Sequence, residues 1–361
     1  MKAVALAVVF LACVCARAER SVGFGARAFA ASVGSGFGRS AVFSPLAHEL
    51  DAVVYSESLD TLAKAEFVSA LGAVVGYGEV YKPVIAAYGA LKGCSLVSAR
   101  AFVVPTAGVF GPSFRQNLQQ EWGVECCSVG KGTRGADAWF RAATFGEMED
   151  FALPVGKDRW RGVSLVTSVS VALDCPGLAA GGEISFNAPG GVRRLPALGG
   201  TVEARLWERK DFALFGWRLS PELAFYALTP AAGADAAAVT AAFAGEAGEL
   251  MASLWNLTDP KVFAGAVELA LPEFDERSTL ECLPAFVEAR LPYDRFAGCA
   301  PGTEVGTLLQ RVRLRLRPAA APAAKAPAAR SLALDRPFLY FVHHAPTDTM
   351  PVAGIFTGTS E

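Results

Sequence analysis

Between residues 311 and 317 the sequence RVRLRLR sets Arg311, Arg313, Arg315 and Arg317 in strict alternation with Val312, Leu314 and Leu316. Successive side chains of a β-strand point to opposite faces, so this spacing predicts three apolar side chains on one face and four guanidiniums on the other. Neighbouring guanidiniums would lie about 6.6 Å apart at a rise of ~3.3 Å per residue, and would repel by roughly 0.6 kcal/mol per pair even in bulk water. Such a row needs compensation. Acidic residues on an adjacent strand or a covering helix would supply it from within, and a sulfated polysaccharide or other polyanion would supply it from outside.

Little else in the chain has the residue types or spacing for chemistry. His48, His343 and His344 are the three histidines, and no GxSxG, HExxH or Walker-type sequence frames a nucleophile, a metal or a nucleotide. The glycines from Gly34 to Gly38 follow ARAFAASV, which reads as helix rather than strand, so they form a loop and not a phosphate cradle. No CxxC or Cys/His cluster has the spacing of a zinc site. The pattern argues against an enzyme, a metal and a cofactor.

The N-terminus bears on where the chemistry would take place. Met1 and Lys2 precede the apolar run AVALAVVFLACVCA, and Ala16-Arg17-Ala18 carries small residues where a signal peptidase reads, so residues 1–18 are expected to be a signal peptide and Glu19 the first mature residue. The run is short for a bilayer, which takes roughly 20 residues. No later segment is long and apolar enough to span, so the prediction is a secreted, extracellular protein with no membrane partner. Along that route Cys94, Cys126, Cys127, Cys175, Cys282 and Cys299 meet oxidising conditions. Cys282 and Cys299, close in sequence with Pro284 and Pro292 between them, are the best candidate disulfide, with buried free thiols as the alternative. Asn256-Leu257-Thr258 is a candidate glycosylation site.

Composition bounds the scaffold. The 361 residues are 52% hydrophobic and 19% charged, enough to bury a large core, and a net charge of −2 provides no global field for nucleic acid. GARAFAASV reads as a short amphipathic helix, and the stretch from Ser44 to Gly72 as a helix started by Ser44 and Pro45. LVSARAFVVP alternates as a strand, SFRQNLQQEWG returns to helix, and WGVECCSV and VSLVTSVSVAL are rich in strand formers. Beyond residue 180 strands dominate. No linker before residue 318 divides the chain, so one α+β domain is expected.

The order of these residues resembles the serpin family. Phe43-Ser44-Pro45-Leu46 is similar to the family's FSPLS at the start of its second helix, and Ser69-Ala70-Leu71-Gly72 falls where that family closes its next helical segment. Asp335-Arg336-Pro337-Phe338-Leu339-Tyr340-Phe341, with His343-His344-Ala345-Pro346-Thr347, is similar to DRPFLFFIRHNPT, and VELALPEF at 267–274 to VELYLPRF. Trp122-Gly123-Val124-Glu125 and Trp139-Phe140 fall where serpins carry a YGAEV strand and an INSWV helix. The resemblance is colinear from about residue 22 to 361.

It implies one serpin domain over residues 19–361, with three β-sheets, eight or nine helices and an exposed reactive-centre loop at 318–330. In an inhibitory serpin a protease cleaves this loop, whose N-terminal part then enters the large sheet as a new strand. Insertion demands a hinge of small residues with strand-forming backbone. The hinge here is Arg317, Pro318, Ala319, Ala320, Ala321 and Pro322. Its alanines are small enough, but each proline removes a ladder donor and fixes φ, and a Pro-rich string favours a solvated, extended chain. The loop is also short. Lys325-Ala326 near its middle and Arg330-Ser331 at its end are candidate cleavage points for a trypsin-like serine protease, or simply solvated basic residues.

Other positions depart from the family. The second serine of the helix start is Ala47, the NALYFKGKW strand is replaced by TSVSVALDC at 167–175 with no tryptophan, and the histidine on the strand entering the hinge falls near Leu309. In the family these polar groups help govern opening of the large sheet. The functional expectation is a secreted, monomeric serpin-type protein of the serine-endopeptidase-inhibitor class whose insertion step is impaired. The alternative is a non-inhibitory serpin-fold protein that binds a polyanion, ligand or receptor.

Overall fold

A computed structural model of the chain describes residues 25–33, 38–70, 94–104, 109–128, 134–148, 162–231, 233–234, 236–255, 260–288, 290–297, 303, 305–319 and 327–359. Helix α1 covers residues 25–33 and is followed by β1 (Ala41–Phe43), α2 (Pro45–Glu57) and α3 (Thr61–Ala70). Ser44 starts α2: its hydroxyl accepts from Ala47 N at 3.2 Å, and Pro45 takes the first helical position. The single helix expected from Ser44 to Gly72 is two helices. Ser56 and Ser58 turn their hydroxyls back onto Val53 O and Tyr55 O, which closes α2, and Asp60 Oδ1 accepts from Ala63 N at 2.7 Å to start α3.

β2 (Cys94–Val104), α4 (Pro112–Trp122), β3 (Glu125–Ser128), α5 (Arg134–Ala143) and β4 (Val163–Cys175) come next. α4 opens with Pro112 and closes on Gly123, whose φ of 62° lets its N–H reach Gln119 O while Val124 N reaches Leu118 O. The strand-rich half holds β5 (Ala179–Ala188), β6 (Gly191–Glu208), β7 (Phe212–Arg218), β8 (Leu223–Pro230), α6 (Ala236–Trp255), β9 (Val262–Pro272), β10 (Asp275–Glu281), α7 (Leu283–Glu288), β11 (Val305–Pro318), β12 (Arg330–Ala333), β13 (Phe338–His344) and β14 (Thr349–Phe356).

Among the described residues these strands form two sheets, not the three expected. A five-stranded sheet runs β10-β11-β4-β2-β3, and a nine-stranded sheet runs β1-β14-β13-β8-β7-β6-β9-β12 with β5 added on β6. The merger comes from β6. Its 18 residues pair with β5 at one end and β7 at the other, and β9 runs alongside from Ala197 to Trp207, stitching the two halves together. Seven helices lie among the described residues, against the expected eight or nine.

The two sheets pack face to face through one apolar layer. Val169, Val171, Leu173, Val312, Leu314 and Leu316 of the smaller sheet meet Val202, Leu206, Phe225, Val267, Leu269 and Tyr340 of the larger. The opposite face of the larger sheet is covered by α1, α6 and their neighbours through Phe29, Phe243, Tyr226 and Phe341. The outer face of the smaller sheet is covered by α5, with Phe140 against Ala101, Val166 and Leu309.

Candidate functional site: the β4–β11 seam and the loop it carries

β11 lies parallel to β4, from Val305 opposite Val163 to Pro318 opposite Cys175, with the register continuous from Leu308 onward. The seam between them is therefore closed, with no strand inserted. Pro318 occupies the last rung of the ladder, where its missing N–H takes nothing from the sheet, and Ala319 N bonds Cys175 O at 3.3 Å before the chain leaves. Hinge residues Ala320, Ala321 and Pro322, and the candidate bond Lys325-Ala326, lie outside the described residues.

From Ala329 the chain is paired with the other, nine-stranded sheet. Ala329 N bonds Ala266 O at 2.9 Å, and Arg330 to Ala333 then pair parallel with Val267 to Ala270 of β9. Arg330 and Ser331 are exposed at the start of this strand, with the Arg330 guanidinium 4.6 Å from the Phe263 ring centroid. Length sets a limit here. Residues 319–325, the part ahead of Ala326, can span at most about 25 Å, whereas the 13 residues of β4 extend about 43 Å.

The arginine row is a strand face, and Arg313, Arg315 and Arg317 are compensated from within. Arg313 forks onto Asp275 of β10, Nε to Oδ1 at 2.7 Å and Nη2 to Oδ2 at 2.5 Å, and its Nη1 donates to Glu147 O at 3.1 Å. Arg315 reaches Glu147 Oε2 at 2.5 Å, and Arg317 reaches Asp174 of β4 at 2.9 Å, directly across the seam. Burial pulls the Asp275 carboxyl up, but Arg313, helped by Arg277 and Arg315, holds it below the ordinary carboxylate value. The adjacent strands and the turn after α5 thus provide the counter-charges.

The inner face of the seam carries a buried polar row that the sequence did not announce. Arg100 of β2 and Gln310 of β11 both stand opposite Thr167 of β4, and all three point at α2. Gln310 brackets Ser44, Oε1 accepting from Ser44 N at 2.7 Å and Nε2 donating to Ser44 O at 3.0 Å, while the Ser44 hydroxyl donates to Pro351 O at 2.7 Å. Asp51 Oδ1 accepts from Arg100 Nε and from the Thr167 hydroxyl, each at 2.7 Å. Burial pulls the Asp51 carboxyl up, and Arg100, Thr167 and Gln310 offset part of that. No histidine stands at this point of β11: Leu309 faces α5, and its neighbour Gln310 faces α2. The signal lay in the sequence as one Asp on the buried side of an apolar helix and one Arg in an apolar strand.

Beside this row, His48, Asp51, Leu165, Cys282, Phe286, Leu308 and Leu309 line a small internal gap. Burial lowers His48 to about 3. The expected Cys282–Cys299 disulfide is corrected: Cys282 is a free thiol, 3% exposed at the end of β10, directed toward Leu280 O in the core. Burial places its pKa well above the ordinary thiol value. Cys299, Asn256 and residues 1–18 lie outside the described residues. Among the described residues no His, Cys, Asp or Glu cluster could hold a metal, and no helix is long and apolar enough to cross a membrane.

No family profile matches the sequence, and no curated protein matches it. The fold does have solved counterparts. The chain is similar to native protease nexin-1, crystallised with heparin, at a TM-score of 0.77 and 17% identity over 94% of this chain and 98% of that one. It is similar to the thermophilic serpin tengpin in its native state at 0.76 and 14%, over 94% and 93%. Human thyroxine-binding globulin, in complex with its hormone, aligns at 0.76 and 13%, over 95% and 99%.

Proposed function

We propose that this chain, which has the serpin fold, is a secreted protein of the serine-endopeptidase-inhibitor class that offers its exposed loop to a trypsin-like protease. The observation that carries this reading is the closed β4–β11 seam: β11 pairs with β4 up to Pro318, and Arg330 to Ala333 pair with β9 at the edge of the other sheet. A protease active site takes an extended, solvent-exposed segment, and Lys325 or Arg330 offers the cationic side chain that a trypsin-like primary pocket selects. The chain acts as the protein ligand in that encounter and not as the enzyme.

A second reading is favoured by the loop's length. After cleavage at Lys325-Ala326 the seven freed residues include Pro322, and they reach little more than half of the seam they would have to fill. That supports a non-inhibitory serpin-fold protein that binds a ligand without loop insertion; one neighbour of the same fold is a thyroxine-binding globulin complexed with thyroxine. Incubation with trypsin-like proteases separates the two. A complex that survives SDS, with a rise in melting temperature of the cleaved chain, establishes the inhibitor; clean cleavage with no adduct and an unchanged melting temperature leaves the binding protein.

A further inference from the structure

A different pair of arginines lacks the internal counter-charges found on β11. Arg205 of β6 and Arg218 of β7 both lie over the indole of Trp255, the last residue of α6, with their guanidinium carbons 4.7 and 4.5 Å from the ring centroid. The approach is built by the strands. Arg205 stands opposite Gly216, which has no side chain, and a Cβ there would come within 2.4 Å of Leu254; the missing atom lets the end of α6 settle onto the sheet beside Arg205. Trp255 Nε1 donates to Tyr226 Oη at 2.6 Å, which fixes the indole.

No carboxylate among the described residues comes within ion-pair distance of either guanidinium. Arg205 donates to Leu254 O at 3.1 Å, and Arg218 is exposed with no hydrogen bond or ion pair. Glu203, two residues from Arg205 on the same face and next in register opposite Arg218, forms no ion pair with either, and Asp348 is engaged with His343 at 2.6 Å. Burial pushes the Tyr226 hydroxyl up to about 12, so it adds no negative charge. Two forked cations on one ring, with donors left over, call for an oxyanion.

We propose that Arg205 and Arg218, held over Trp255, form a binding site for a sulfate or phosphate group, whether free or carried as a monoester on a larger ligand. The oxyanion bridges the two forks beside the indole, whose apolar surface would favour an ester carried on a ring.

Calorimetric titration of the full chain at constant ionic strength tests this, with inorganic sulfate, inorganic phosphate, phenyl sulfate and phenyl phosphate as probes. Saturable one-to-one binding is expected, weakened at least tenfold in Arg218→Gln and in Arg205→Lys, which keeps the charge but loses the fork. The stronger of the sulfate and phosphate arms identifies the anion, and a gain for the phenyl esters identifies a ring-borne ligand. Melting curves verify that both variants are folded, Arg218→Gln being the safer because its side chain is exposed. Absence of saturable binding by all four probes overturns the proposal. So does binding that both variants retain, or binding that is lost instead in Arg315→Gln, which would place the anion on β11.

Discussion

Tyr340 stands where the resemblance has phenylalanine, and its hydroxyl is fully buried with no hydrogen-bond partner. Gly354 makes room for it: a Cβ at Gly354 would lie 2.2 Å from Tyr340 Oη. An unmade bond on a buried donor costs about 1–3 kcal/mol, so Tyr340→Phe is expected to raise stability by that order in denaturant unfolding. A loss of stability would mean that the hydroxyl has a partner. Asp51 is the opposite case. Its carboxylate serves Arg100 and Thr167 in the interior, and Asp51→Ala is expected to cost about 3–5 kcal/mol because it removes a buried acceptor that both share. A cost below about 1 kcal/mol would show that water or a neighbour takes over. Neither residue was singled out in the sequence, because a lone Tyr or Asp in an apolar run has no periodicity of its own. By contrast, the Arg311 to Arg317 face was read directly, since alternation with Val and Leu is itself the signal.

Among the elements, α5 ends on a residue ill suited to its place. Phe145 has φ 53° and is 85% exposed where Gly146 N closes the helix onto Arg141 O. Glycine takes that conformation without a Cβ clash, and Phe145→Gly is expected to add about 1 kcal/mol of stability, read as a higher melting temperature. An unchanged or lower value would show that the exposed ring packs against something. The loop element offers a second test. If length and proline together block insertion, a chain with Pro318 and Pro322 replaced by alanine and about eight small residues added should gain melting temperature on loop cleavage, while the natural chain should not. A gain in the natural chain would refute the argument from length. The prolines and the loop's length were legible in the sequence. Pro318 as the final rung of β11 was not, since only the pairing with Cys175 shows where the ladder stops.

For the whole molecule, pH is the lever. His48 sits between Phe43 and Phe286, at ring-centroid distances of 5.4 and 5.5 Å, and burial lowers it from 6.5 to about 3. The unfolded chain therefore takes up the proton first. This contribution is fully present above about pH 6.5 and is lost as the pH falls toward 3, by roughly 4 kcal/mol. His344 is lowered by burial too and acts in the same direction, whereas the raised Asp51 acts in the opposite one. His48→Leu is expected to flatten the fall in unfolding free energy between pH 6.5 and 4. An unaltered slope would assign the acid sensitivity to other groups.

By itself the sequence determined the strand faces, the helix start at Ser44 and Pro45, and the Pro-broken loop, together with the colinear resemblance that anticipated the fold. These are local properties, written in spacing, capping residues and backbone chemistry. Only the tertiary structure decided which carboxylates neutralise the β11 arginines, that β6 fuses two sheets into one, that Gln310 takes up Ser44, and that Cys282 stays a free thiol. Each of those joins residues far apart in the chain. Register and packing bring them together, and no local pattern encodes either.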